Sequence, residues 1–111
     1  MAMQSEPVVE VTESEFNEIV NNGHKLVVVD FFAEWCMPCL MMAPIIDELA
    51  EKMSEVKFVK INIDDNNEIS GKYEVRSIPT MIFFKEGKEV DKMVGGMDAD
   101  ALEEKIKALL S

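Results

Sequence analysis

The stretch Leu26–Cys39, LVVVDFFAEWCMPC, decides the fold. Its first seven residues are almost continuously apolar and β-branched, the pattern of a central strand covered on both faces. From about Cys36 to Met53 the periodicity becomes helical, with Met42, Ile45, Ile46, Leu49 and Met53 on one face. Pro44 falls inside that helix. There it removes one hydrogen bond and crowds the Leu40 carbonyl, so a kink is expected. A buried strand thus runs directly into a helix, and two cysteines stand at the junction.

Working outward, Val8–Val11 reads as a short strand. Thr12 and Glu15 follow with the spacing of a capping box. Phe16, Ile19 and Val20 then form an apolar stripe, and Asn22-Gly23 stops the helix. Beyond the cysteine helix, residues 56–63 (VKFVKINI) alternate as a strand does. A short helix is expected from Glu68 to about Tyr73, with Ile69 and Tyr73 inward. Thr80–Phe84 is a strand, Glu86-Gly87-Lys88 a turn, and Glu89–Val94 a charged edge strand closing a hairpin. Asp98 caps a last helix, whose stripe is Leu102, Ile106, Leu109 and Leu110, with Lys105 and Lys107 favourable to its dipole. The order is βαβαβαββα. The fold class is α/β, a mixed sheet of about five strands with helices on both faces, its first three strands parallel.

The 111 residues fit one domain, expected over residues 8–111 after a flexible lead of residues 1–7. Eleven Lys and Arg against 22 Asp and Glu leave a net charge of −11, which disfavours nucleic acid and anionic membrane as partners. No apolar run has transmembrane length. The first residues, MAMQSEP, lack the basic and apolar regions of a signal peptide, so a cytoplasmic location is expected.

Cys36-Met37-Pro38-Cys39 admits three readings. A zinc site needs four ligands, and the chain offers two cysteines and His24, a residue expected in an exposed turn. A structural disulfide closing so short a loop would stabilise little. Redox exchange fits best. Residues i and i+3 of a helical turn can be bridged, and Cys36 at the helix N-terminus is favoured as a thiolate. Cys39, one turn inward, is expected to be the more buried thiol. Pro38 suits the first helical turn. Asp30 is the one ionisable group in LVVVDFF, and burial should raise its pKa. It can then accept a proton from Cys39; the competing reading is a cap for the following helix. Asp64–Glu68 has the acidic look of a calcium loop, but Ile69 and Val75 stand where that motif needs glycine and glutamate, so no metal site is expected.

With these residues in place, the chain resembles the thioredoxin family over about residues 8–110. The resemblance is carried by VVVDFFAEWCMPC (27–39), APIIDELA (43–50), KINID (60–64), SIPTMIFFKEGK (77–88) and VGG (94–96). It implies that Cys36 is the attacking thiol and Cys39 the resolving one, with Asp30 buried behind Cys39 and Lys60 beside Asp30. It also implies that Pro79 follows a cis bond and faces the disulfide. Trp35, Met37, Pro38, Ile78, Pro79 and Gly95, with Met97, would form the docking surface for a substrate.

Three positions depart from the family: Met37 replaces a common glycine, Leu40 a lysine and Phe32 a second tryptophan. The activity implied is reduction of protein disulfides with no bound cofactor, by a monomer that a thioredoxin reductase re-reduces. A thiol oxidase or isomerase is disfavoured, because no histidine lies between the cysteines. The alternative from another class is a binding module or clamp subunit that uses the fold for docking.

Overall fold

The protein is described from a computed structural model, which covers residues 8–111. The expected lead of residues 1–7 lies outside the described residues. The elements are β1 (Val9–Glu10), α1 (Glu13–Val20), β2 (Leu26–Phe32), α2 (Met37–Lys52), β3 (Val56–Asn62), α3 (Asn67–Lys72), β4 (Thr80–Lys85), β5 (Lys88–Val94) and α4 (Ala99–Leu110). The expected order holds throughout. β1 is shorter than expected, two residues flanked by the buried Val8 and Val11. It is an edge strand whose ladder with β3 holds two residue pairs, Val9 with Val59 and Glu10 with Lys60.

The sheet runs β1-β3-β2-β4-β5. β1, β3 and β2 are parallel, whereas β4 lies antiparallel to β2 and forms a hairpin with β5. β2 is the central strand, which explains why its sequence is apolar at alternate and intervening positions alike. Side chains alternate between the faces of a sheet. Leu26 and Val28 therefore join Phe58, Met81 and Phe83 under α2 and α4, where Met42, Ile46, Leu49, Leu102 and Ile106 meet them. Val27, Val29 and Phe31 join Val59, Ile61, Ile82 and Phe84 on the other face, covered by Phe16 and Val20 of α1 and Ile69 of α3. Tyr73 closes this second core with Phe16 and Phe84, their ring centroids 5.1–5.6 Å apart.

The helix ends follow local chemistry. Glu15 reaches back to the Thr12 N–H at 2.8 Å, and Asp98 accepts from the Ala101 N–H at 2.8 Å. Pro44 lies within α2. Lys105 and Lys107 do more than favour the α4 dipole: Lys105 pairs with Asp91 of β5 at 2.7 Å and Lys107 with Glu103 at 3.2 Å. His24 is half-buried rather than exposed.

Candidate functional site

The strand register brings four chain segments to one end of the sheet. β2 ends at Phe32, opposite Asn62 of β3. Thr80, the first residue of β4, pairs with Phe31 on one side and Val94 on the other. The segment Ala33–Cys36, the loop at Ile63 and Asp64, the Ile78-Pro79 turn and Gly95 therefore all leave the sheet at the same edge. Such a crevice, outside the carboxyl ends of parallel strands, is where open α/β sheets hold their sites.

Cys36 is the N-cap of α2, with Pro38 in the first turn. Cys36 and Cys39 are joined by a disulfide, their Cα atoms 5.3 Å apart. The Cys39 N–H donates to Cys36 Sγ at 3.2 Å. With the positive end of the α2 dipole, that donor favours negative charge on Cys36. Residue exposure does not separate the pair: Cys36 is 4% and Cys39 5% exposed. The expectation that Cys39 is clearly more buried is corrected here. In the disulfide form both sulfurs share one apolar pocket made by Ala33, Phe32, Ile63 and Ile78.

Asp30 stands in the row of Leu26 and Val28, on the face that α2 covers. It is buried, and its Oδ1 has no hydrogen-bond partner among the described residues. Burial raises its pKa from 3.8 to about 7, opposed by the positive charge of Lys60. It is not engaged as a helix cap; the α2 cap is Cys36 itself. Lys60 is its register partner on β3, half-buried, with its ammonium 5.5 Å from the centre of the Phe32 ring.

The expected docking residues divide by exposure. Trp35 and Met37 stand out at 69% and 64% exposed. Pro38 is exposed and Ile78 and Gly95 half-buried. Pro79 is buried, so it supports the surface more than it presents one. The Ile78-Pro79 bond is cis, as the resemblance implied. The Pro79 carbonyl accepts from the Gly95 N–H at 2.8 Å, which ties these two loops together. Gly95 has φ +92°, a backbone conformation that favours glycine. Met97 is half-buried and its N–H points at Met42 Sδ, 3.5 Å away, so its loop rests on α2.

Sequence reasoning missed Asp64. Its Oδ2 accepts from Trp35 Nε1 at 2.9 Å and holds the exposed indole beside the disulfide. The available signal was an acidic residue two positions beyond β3, inside the stretch whose acidic look suggests a calcium loop. Among the described residues no group of three or more His, Cys, Asp or Glu is arranged to hold a metal ion. No helix among them is long and apolar enough to cross a membrane.

A disulfide at a helix N-terminus, packed against apolar loops and preceded by a strand that carries a buried carboxyl, defines a protein of thiol–disulfide exchange. The family model described as Thioredoxin matches residues 7–108. A thioredoxin of Pyropia yezoensis is 43% identical over 105 residues, 94% of this chain and 98% of its own. Thioredoxin-2 of Saccharomyces cerevisiae is 49% identical over 86 residues, 78% and 83% of the two chains. A solved mutant thioredoxin from Halobacterium salinarum NRC-1 superposes with a TM-score of 0.88 at 31% identity, covering 99% of this chain and 97% of that one. This chain belongs to the thioredoxin family, and it is a thiol–disulfide oxidoreductase.

Proposed function

We propose that the protein reduces disulfides of other proteins, with Cys36 as the attacking thiol. The observation that carries this reading is Cys36 capping α2 and bonded to Cys39, with a buried Asp30 on the preceding strand whose Oδ1 has no hydrogen-bond partner among the described residues. In the reduced protein the Cys36 thiolate attacks one sulfur of the target disulfide. That bond breaks, a Cys36–target disulfide forms, and the first target thiolate leaves. Asp30 then takes the proton of Cys39, directly or through water. Cys39 attacks Cys36 Sγ, closes the Cys36–Cys39 disulfide and releases the second target thiolate. Two electrons pass to the target. Lys60 acts on Asp30 as a positioned charge that keeps its carboxylate accessible near neutral pH.

The target segment lies across Trp35, Met37, Pro38, Ile78, Pro79 and Gly95. The Ile78 side chain in the disulfide pocket and the hydrogen-bonded Pro79–Gly95 pair support this path. The two thiols carry the chemistry, so the protein works without a bound cofactor. Its expected partners are disulfide-containing proteins and a thioredoxin reductase that returns the pair to the dithiol. It acts in the cytoplasm as a monomer, with residues 8–111 as its one domain.

Trapping tests the reading. Cys39→Ser should accumulate mixed disulfides with target proteins, whereas Cys36→Ser should not. The reversed pattern would assign attack to Cys39. A Cys36→Ser, Cys39→Ser double variant that kept the cellular function would favour the binding module instead.

A further inference from the structure

α2 carries a stripe of solvent-facing residues that the exchange chemistry does not use. Positions 37, 40, 41, 44, 48 and 51 share one side of a helix with 3.6 residues per turn. They are Met37, Leu40, Met41, Pro44, Glu48 and Glu51, and all are exposed. Met37, Leu40 and Met41 are 64%, 54% and 69% exposed. Half-exposed apolar side chains are ordinary singly, but three on two adjoining turns, next to the exposed Trp35, make a patch. The stripe then changes character. Glu48 and Glu51 join no ion pair among the described residues; the nearby Lys52 pairs with Glu103 at 3.0 Å, and its charge is also felt by Glu48.

We infer that this face of α2 is a second docking strip, continuous with the disulfide, for a target segment of matching chemistry. The segment has apolar residues beside its own disulfide and Lys or Arg about six residues further along. The inference rests on the reading of Cys36 as the attacking thiol. The strip begins at Met37, the residue next to Cys36, so any target that reaches Cys36 already touches its first member. Glu48 and Glu51 lie about 17–21 Å further along the helix, from 1.5 Å per residue. An extended segment spans that distance in about six residues at 3.3–3.6 Å each. Charge complementarity names the occupant, since the far end presents two carboxylates that join no ion pair among the described residues, on a chain of net charge −11.

The test uses two synthetic peptides, each with one cysteine blocked as a mixed disulfide with thionitrobenzoate and followed by two leucines. One carries three arginines six residues from the cysteine, the other three glutamates. Each turnover oxidises Cys36 and Cys39 to their disulfide and releases the peptide thiol and coloured thionitrobenzoate. The protein should favour the arginine peptide about fivefold at low salt, as two surface charge pairs allow. That preference should fade at high salt, where charges are screened within a few ångströms. Glu48→Lys with Glu51→Lys should invert the ratio. Leu40→Ser with Met41→Ser should slow both peptides about tenfold relative to a small nitrobenzoate disulfide, a loss expected from two apolar contacts. Equal rates for the two peptides, or a ratio that neither pair of substitutions moves, would overturn the strip. No reaction with the small disulfide would overturn the reading of Cys36 itself. A dimer of the reduced protein that Met41→Lys dissolves, seen by sedimentation, would give the face to a second copy of the chain and also overturn the proposal.

Discussion

Asp30 and Lys60 face each other across the parallel β2–β3 ladder, yet no hydrogen bond joins them and Asp30 Oδ1 has no partner among the described residues. Lys60 lies with its ammonium over the Phe32 ring instead. The carboxyl is therefore governed by burial more than by its cation, and its pKa rises to about 7.

That shift has a stability consequence with a definite sign. The folded protein holds the Asp30 proton up to about pH 7, whereas an unfolded aspartate releases it near pH 4. Folding thus binds a proton between these values, and stability falls as pH rises from about 4 to 7. The full loss, reached above pH 7, is on the order of 4 kcal/mol. Asp30→Asn should match the wild type near pH 4 and exceed its unfolding free energy by a few kcal/mol at pH 8. Guanidinium denaturation of both oxidised proteins across pH measures the difference. Parallel curves would mean that Asp30 ionises freely in the folded state.

The same substitution removes the proton acceptor proposed for Cys39. Release of the mixed disulfide should slow about tenfold or more, from the usual scale of general-base catalysis. The wild-type rate should rise through a group titrating near pH 7, and that rise should vanish in Asp30→Asn. Single-turnover kinetics with a trapped target resolve the step. An unchanged profile would leave Asp30 with a structural role alone.

The redox pair should be reducing. Among the described residues, the helix N-terminus and the Cys39 N–H favour the Cys36 thiolate, whereas Leu40 adds no charge and Glu34 is acidic. With so little stabilisation of the dithiol form, the disulfide should dominate in an oxidising glutathione buffer. Equilibration followed by thiol alkylation reads the ratio. A pair that stayed mostly dithiol would point to oxidase chemistry.

Trp35 is the only tryptophan, and among the described residues its indole N–H donates to Asp64 alone. Asp64→Ala should free the indole and lower its fluorescence anisotropy. The stability change should be small, about 0.5–1 kcal/mol, because the bond is exposed. An anisotropy equal to that of the wild type would show that the indole is held by packing instead.

Much of this molecule is legible in the chain because its signals are local. The apolar run of Leu26–Phe32, the helical stripes ending at Met53 and Leu110, and the caps at Thr12 and Asp98 all depend on neighbours a few residues away. So does the bridging of Cys36 to Cys39, one helical turn apart. These features follow from backbone geometry and short-range hydrogen bonding, and they appear where the sequence places them. The tertiary structure alone decided what distant segments do to one another. It fixed the strand order β1-β3-β2-β4-β5 and set Lys60 in register with Asp30. It buried Cys36 as deeply as Cys39, covered Pro79, and brought Asp64 to Trp35 across 29 residues of chain. It also left Leu40 and Met41 in solvent where α2 turns away from the sheet. Burial and pairing across a sheet depend on which surfaces meet, and local sequence periodicity carries no record of that choice.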